Sequence, residues 1–181
     1  MAQQRRYEIP PSVTALVKLM KQEPLPTELD IAVLLHMNDN DNDNDNDNDN
    51  AEQQENEMTR TRLHNAFVKV DTHLGINAAD LPLLAREFRA HYNTLRCLRN
   101  KCNDDDDVVS LIDILHLDMM DATMCLLCVC PDHSTAWADR CRSILFLTSD
   151  EARREQEEKK GAMFSEELQF LNLLFTRHSS K

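Results

Sequence analysis

Apolar residues recur at helical spacing through the second half of the chain. Between residues 108 and 129 they stand three or four places apart, at Val108, Leu111, Ile112, Leu115, Met119, Ala122, Leu126 and Val129. This spacing predicts a helix with one buried face. From Ala122 onward the segment is apolar on every side except for Thr123, which is typical of a helix enclosed by neighbouring elements.

A proline interrupts this pattern and marks a turn between two helices. Pro131 lacks an N–H group and its ring clashes with the preceding turn, so the first helix must end near it. Asp132 or Ser134 can then cap a second helix. The apolar residues of that helix share one face and are Trp137, Cys141, Ile144 and Leu145. The Trp137 indole is therefore predicted to pack back onto the first helix. The pair forms one helix–turn–helix unit of the kind that α-solenoids repeat.

The same spacing predicts further helices over residues 12–21, 59–74 and 80–99. Gly75 is expected to end the second of these helices. Asp80 is expected to cap the third, with Pro82 tolerated in its first turn.

The last predicted helix begins at Ser165, which can cap it, and turns Leu168, Leu171 and Phe175 inward. Because a solenoid unit buries its face on the next unit, this helix is also expected to expose an apolar face. It follows a mixed-charge insertion over residues 148–160, which fits either a solvated helix or a flexible loop.

The first third of the chain is less regular. Residues 29–37 form a short apolar run whose length fits either a helix or a strand. Alternating Asn and Asp residues follow, and this polar segment cannot offset its ordering entropy by burial, which predicts a disordered linker over residues 38–58. An N-terminal helical segment over 1–37 and a helical region over 59–181 are predicted on its two sides.

The alternating aspartates of the linker also suggest a calcium loop. Asp39, Asp41 and Asp43 alternate as at the start of an EF-hand, but the loop glycine and the closing glutamate are missing. A spacer is therefore the favoured interpretation.

Composition favours an all-α fold and narrows the function classes. Only two glycines occur in 181 residues, too few for a phosphate-cradling loop or a dinucleotide fingerprint. A net charge of −12 argues against nucleic-acid binding. No stretch approaches the roughly 20 apolar residues of a membrane span, and no secretory signal is recognisable. The six cysteines are therefore expected to be reduced thiols in a cytoplasmic protein.

Arginines of the helix over residues 80–99 form one candidate binding group. Arg86, Arg89, Arg96 and Arg99 are predicted to lie close together on one face. They could bind an acidic partner or a diphosphate, but a solvated basic face is favoured because exposed charge is the default.

Two further clusters could hold metal ions. Asp104–Asp107 directly precede a helix, where capping is favoured over a magnesium site. Cys125, Cys128, Cys130 and His133 have spacings seen in zinc sites. Large apolar residues lie between these cysteines, so they are interpreted as core residues, and no metal site is predicted.

Pro131, Trp137 and Arg140 form a Pro-x5-Trp-x2-Arg pattern that resembles the repeat of protein prenyltransferase α subunits. The stretch CPDHSTAWADRCRSIL is most similar to the first repeat of the alpha subunit repeat-containing subfamily, and weaker similarity covers roughly residues 63–181. Ser134 stands where the family usually has an aromatic residue, and Cys141 where it has a second basic one.

The resemblance implies an α-α superhelix, with one full repeat at about residues 108–147 and the start of a second at 165–181. Trp137 would be a structural repeat residue. Arg140 would join the turn to a neighbouring helix through hydrogen bonds to carbonyls or carboxylates. The chain would correspond to an N-terminal portion of such a subunit.

In function, the resemblance implies an α-type subunit of a protein prenyltransferase. Its β subunit would hold the zinc and transfer an isoprenoid from its diphosphate to a C-terminal cysteine of target proteins. This chain would contribute no catalytic residue and no cofactor, although Lys181 lies near the place of a family lysine that steadies the diphosphate. The alternative is a non-enzymatic helical-repeat adaptor for protein–protein interaction.

Overall fold

The computed structural model describes residues 7–32, 66–102, 109–149 and 157–179. Within these ranges the chain is mostly helical, as predicted, and also contains a small sheet. The helices are α1 (Pro11–Met20), α2 (Leu81–Cys102), α3 (Val109–Val129), α4 (Ser134–Ser149) and α5 (Glu157–Ser179). The strands are β1 (Glu28–Ala32), β2 (Phe67–Val70) and β3 (His73–Asn77).

The sheet has the order β1-β3-β2. Strands β2 and β3 form an antiparallel hairpin in which Val70 pairs with His73. Asp71, in the turn between them, has a positive φ of 52°, a conformation that aspartate tolerates better than most residues. Strand β1 runs parallel to β3 and so joins the N-terminal segment to the region that follows the predicted linker. Residues 33–65 lie outside the described residues, and they include the whole predicted linker over 38–58 with the aspartates at 39, 41 and 43.

The predicted helix over residues 59–74 is wrong where it overlaps the hairpin. Phe67, Leu74 and Ile76 are buried, whereas Val68 and Val70 are 41% and 61% exposed. Within β2 this is the two-residue alternation of a strand with one buried face. Gly75 lies inside β3 and ends no helix. The apolar run at residues 29–37 begins as strand β1, with Leu29 buried.

Helix α2 begins differently from the prediction. Asn77 Oδ1 accepts a hydrogen bond from the Ala79 N–H at 3.1 Å and caps a single 3-10 turn, Ala78–Asp80. Asp80, the expected cap, is buried and accepts a hydrogen bond from Asn77 Nδ2 at 2.9 Å. Pro82 stands in the first turn of α2, as predicted.

Helix α3 is the centre of the fold and packs against α1, α2, α4 and α5. Every residue from Ala122 to Val129 is buried, which confirms the predicted enclosure of its second half. Together α3 and α4 form the predicted helix–turn–helix unit. The cap of α4 is the His133 side chain, whose Nδ1 accepts from the Ala136 N–H at 3.2 Å, in place of Asp132 or Ser134.

The predicted buried faces of α4 and α5 are wrong at about half of their positions. Cys141 and Leu145 of the expected α4 stripe are exposed. The buried positions of α4 are Ala136, Asp139, Arg140, Ser143 and Leu147. Polar groups can occupy such a face when neighbouring helices supply their hydrogen-bond partners.

Helix α5 starts at Glu157, so Ser165 lies within it and does not cap it. Leu168 and Phe175 are 62% and 68% exposed, although they were expected to face inward. The residues that α5 buries are Phe170, Leu173 and Leu174. The expectation that this last helix exposes an apolar face is confirmed.

Candidate functional site

Two adjacent charged residues of α4 are buried and bind different neighbours. Asp139 is 1% exposed and Arg140 is 4% exposed. Because burial of a charge is costly without partners, both must be compensated by other groups. They are the polar core around which the candidate site is built.

Asp139 fastens α4 to α2. Its carboxylate accepts hydrogen bonds from Tyr92 Oη at 2.5 Å and from Arg99 Nη2 at 2.6 Å, both on α2. Arg142 Nη1 donates at 2.5 Å, and Arg96 Nε lies 3.4 Å away. Three guanidinium groups therefore surround one buried carboxylate.

The electrostatics of this cluster favour the ionised carboxylate. Burial alone would raise the pKa of Asp139, but the hydrogen bonds from Tyr92 and Arg99 and the charge of Arg99 outweigh it, so that the pKa is lowered. Burial and the hydrogen bond to Asp139 raise the pKa of Tyr92, which keeps the phenol protonated as a donor. Nη1 of Arg99 is buried and has no hydrogen-bond partner among the described residues.

The four arginines predicted as one group are divided by the structure. Arg96 and Arg99 converge on Asp139, whereas Arg86 and Arg89 are exposed on α2. The interpretation as a solvated basic face holds for Arg86 and Arg89, which are exposed, but it is wrong for Arg99, which is buried. The role of Asp139 was not predicted from the sequence. Its helical spacing from Ala136 and Ser143, two small residues, could have indicated that it lies on the buried face.

Arg140 ties α4 to both α3 and α5. Nη1 donates to the Met120 carbonyl oxygen at 2.7 Å and to Thr123 Oγ1 at 3.1 Å. Nε and Nη2 donate to the Glu167 carboxylate at 2.9 and 2.6 Å. The guanidinium also lies 4.3 Å from the centre of the Phe170 ring. The expected hydrogen bonds of Arg140 to a carbonyl and a carboxylate are thus present.

Trp137 and Pro131 are joined within the turn. Trp137 Nε1 donates to the Pro131 carbonyl oxygen at 2.7 Å. The indole, which was expected to pack onto the first helix of the unit, is partly buried against the hydrophobic core. Its ring also contacts Phe170 of α5, at 6.4 Å between ring centres. The motif therefore braces the turn itself and positions α4 against α5.

A histidine of α3 and a serine of α4 lie within hydrogen-bonding distance of each other. Nδ1 of His116 lies 3.0 Å from Oγ of Ser143, and the imidazole stacks on Phe146 at 4.0 Å. Burial, and secondarily the charge of Arg99, lower the pKa of His116. The distance fits a nucleophile–base pair. Both residues are buried, at 5% and 0% exposure, so a substrate could not reach the hydroxyl. This pair is a packing contact.

A cleft of about 500 Å³ opens beside Arg140. Its walls come from the end of α1, the segment between α1 and β1, and helices α3, α4 and α5. Four methionines line it: Met20, Met120, Met124 and Met163. A flexible thioether surface of this kind adapts to differently shaped apolar partners.

The cysteines with zinc-like spacing, Cys125, Cys128 and Cys130, lie in or at the edge of the core. Cys125 and Cys128 are buried and Cys130 is partly buried. Burial, followed by the nearby Cys128 and Asp121, raises the pKa of Cys125, which makes the thiol inert. Among the described residues, no group of three or more His, Cys, Asp or Glu side chains could hold a metal ion.

Other predicted features lie beyond the described part of the chain, namely Asp104–Asp107 and Lys181. Within the described ranges, no helix combines the length and apolar character needed to cross a membrane. No protein-family model, curated protein or solved structure matches this chain.

Proposed function

We propose that this chain is an α-type subunit of a protein prenyltransferase, which supports isoprenoid transfer by binding a zinc-containing β subunit. The observation that carries the proposal is the turn between α3 and α4. Trp137 closes the turn on Pro131, and Arg140 binds α3 and α5 at once. The three residues of the family-like pattern therefore act together, as residues that define a structural repeat should.

The two apolar sides of α5 support a superhelix. Its inner side packs Phe170 into the core, while Phe164, Leu168 and Phe175 on the outer side are 49% to 68% exposed. A helix that is apolar on two sides is suited to lie between neighbours. The exposed stripe, defined by Phe164, Leu168 and Phe175, is the surface we propose for contact with the β subunit.

In this proposal, isoprenoid transfer takes place on the β subunit. The serine–histidine pair of this chain is closed to substrate, and the resemblance locates zinc in the partner. There the metal would convert the acceptor cysteine to a thiolate, which is the attacking form. The role of this chain is therefore assembly.

Co-expression with prenyltransferase β subunits, followed by size-exclusion chromatography, tests the proposal. A stable one-to-one complex that transfers isoprenoid to a C-terminal cysteine peptide is the expected result. Leu168→Glu combined with Phe175→Glu should abolish the complex. The matched control is Val70→Glu, at another exposed apolar position on β2, which should retain it. A folded chain that binds no β subunit refutes the proposal.

The methionine-lined cleft favours the second candidate, a helical-repeat adaptor. An adaptor would bind a partner peptide through this cleft and would need no β subunit. Loss of peptide binding after substitution in the cleft, with β binding absent throughout, would distinguish it from the transferase subunit.

A further inference from the structure

We infer that the methionine-lined cleft binds a short, basic amphipathic helix of a partner protein. This inference does not depend on the prenyltransferase role, since the cleft and the exposed stripe of α5 involve different residues. It rests on the shape of the cleft, on its charge and on the elements that form its walls.

A second cavity lies next to the cleft. The first, of about 500 Å³, and the second, of about 390 Å³, share Lys21, Asp118 and Asp121 as lining residues. The second is lined by apolar residues of α1, including Val13 and Val17. Each volume alone falls in the roughly 300–1,000 Å³ range of small-molecule sites. The two adjacent cavities, together called the groove, offer places for several anchor side chains from successive turns of one helix.

The groove is acidic. Five carboxylates and two cationic side chains line the larger cavity, which leaves a net formal charge of −3. Lys21 pairs with Asp121 at 2.9 Å, and Arg140 with Glu167 at 2.6 Å. Both cations are thus already neutralised by carboxylates.

Glu23 and Glu166 are the two carboxylates of the groove that could pair with a bound cation. Asp118 accepts a hydrogen bond from the Tyr7 hydroxyl. Glu23 and Glu166 are exposed and form no hydrogen bond or ion pair with any described residue. They come from different walls, Glu23 from the segment before β1 and Glu166 from α5. Lysine or arginine side chains beside the anchors of a bound helix would complement them.

The walls favour a helix over an extended peptide. Every lining residue of the larger cavity belongs to a helix or to the segment between α1 and β1, and none belongs to the sheet. Among these described lining residues, an extended peptide would find no strand edge with which to pair its backbone groups. A helix satisfies its own backbone, so it needs only apolar anchors and complementary charge.

Titration with a synthetic helix tests the inference. The probe is a peptide of about 15 residues, with leucines along one face and lysines elsewhere, stapled to hold the helix that a free peptide of this length barely forms. Its binding is followed by methyl NMR of the methionines. Shifts are expected at Met20, Met120, Met124 and Met163. Met119, which is buried but does not line the groove, is the internal control and should not shift.

Two sets of variants identify the contacts. Met120→Gln combined with Met163→Gln should weaken binding about tenfold or more, because the apolar anchors lose their contacts. Phe164→Gln, which removes an exposed apolar residue next to Met163 outside the groove, should leave affinity unchanged. Glu23→Gln combined with Glu166→Gln should weaken binding about threefold to tenfold and reduce its salt dependence.

Three results would overturn the inference. Equal affinity for a probe whose lysines are replaced by glutamates would mean a purely apolar site. An equal loss of affinity in the Phe164→Gln control would mean that the peptide binds the exposed stripe of α5. Concentration-dependent shifts without peptide would mean that a second copy of the chain occupies the groove. Each of these outcomes rejects the basic helix as the occupant.

Discussion

Replacing Asp139 measures how strongly the buried ion cluster holds α2 against α4. Two of its donors are themselves buried, since the Arg99 side chain is 5% exposed and Tyr92 is 1% exposed. The third, Arg142, is 63% exposed and can return to water. The energetic cost of losing the carboxylate therefore comes from Arg99 and Tyr92.

The magnitude depends on what remains in place of the carboxylate. Asp139→Ala leaves both buried donors without an acceptor, and we expect the free energy of unfolding to fall by about 3–5 kcal/mol. Asp139→Asn keeps one acceptor oxygen and so serves one of the two donors. We expect it to cost about 2–3 kcal/mol, the value of one buried charge-assisted hydrogen bond. Arg142→Ala, the exposed control, should cost less than about 1 kcal/mol.

Urea unfolding provides the assay, followed by circular dichroism and by the fluorescence of Trp137, the only tryptophan of the chain. The reasoning fails if Asp139→Asn changes stability by less than about 0.5 kcal/mol. It also fails if Arg142→Ala costs as much as Asp139→Asn, because the cluster would then derive its strength from surface charge.

The pH dependence gives a second readout of the same residue. The folded pKa of Asp139 is lowered, despite burial, by its hydrogen bonds to Tyr92 and Arg99. Its contribution to stability is therefore complete above the unfolded value, about 3.9, and is lost as the pH falls through the folded pKa. Stability measured below about pH 4 should consequently fall less steeply in Asp139→Asn than in the parent chain.

Three further predictions follow from individual contacts. Arg140→Lys should lower the free energy of unfolding by about 1–3 kcal/mol in urea titrations, because an ammonium cannot bind its carboxylate and carbonyl partners in the same fork geometry. His116→Gln should flatten the loss of stability between about pH 7 and pH 5, since a lowered folded pKa makes the unfolded state take up the proton first. Timed alkylation read by mass spectrometry should modify the exposed Cys97 and Cys141 rapidly and Cys125 only after unfolding.

The helix–turn–helix unit could be predicted because its signals are local. The spacing of apolar residues in α3 and the proline at 131 act within a few turns of the chain, and the structure ends α3 at Val129. The sheet depends on distant residues. Strand β1 pairs with β3, with Glu28 opposite His73 across the predicted linker. No local pattern records such a parallel pairing, and the short hairpin strands offered too few alternations to compete with a helical interpretation.

The candidate site shows a second limit of pattern reasoning. A hydrophobic stripe identifies the buried face of a helix only when apolar side chains fill that face. In α4 the buried face carries Asp139, Arg140 and Ser143, and each has partners on other helices. Their burial follows from Arg99 and Glu167, whose positions depend on the tertiary fold. The sequence could therefore suggest that Arg140 has carboxylate partners, but it could not identify Glu167.

The clamp formed by Arg140 and Glu167 also explains why α5 keeps an apolar outer stripe. The inner side of α5 is fixed at one point by this ion pair and around it by Phe170, which contacts both Arg140 and Trp137. Rotating α5 to bury Leu168 and Phe175 would break the clamp and expose Phe170. The cost of leaving a buried guanidinium unpaired, about 3–5 kcal/mol, is comparable with the gain from burying two large apolar side chains at about 1.5–3 kcal/mol each. The clamp and the burial of Phe170 therefore act together against this rotation, which leaves the stripe accessible for a partner.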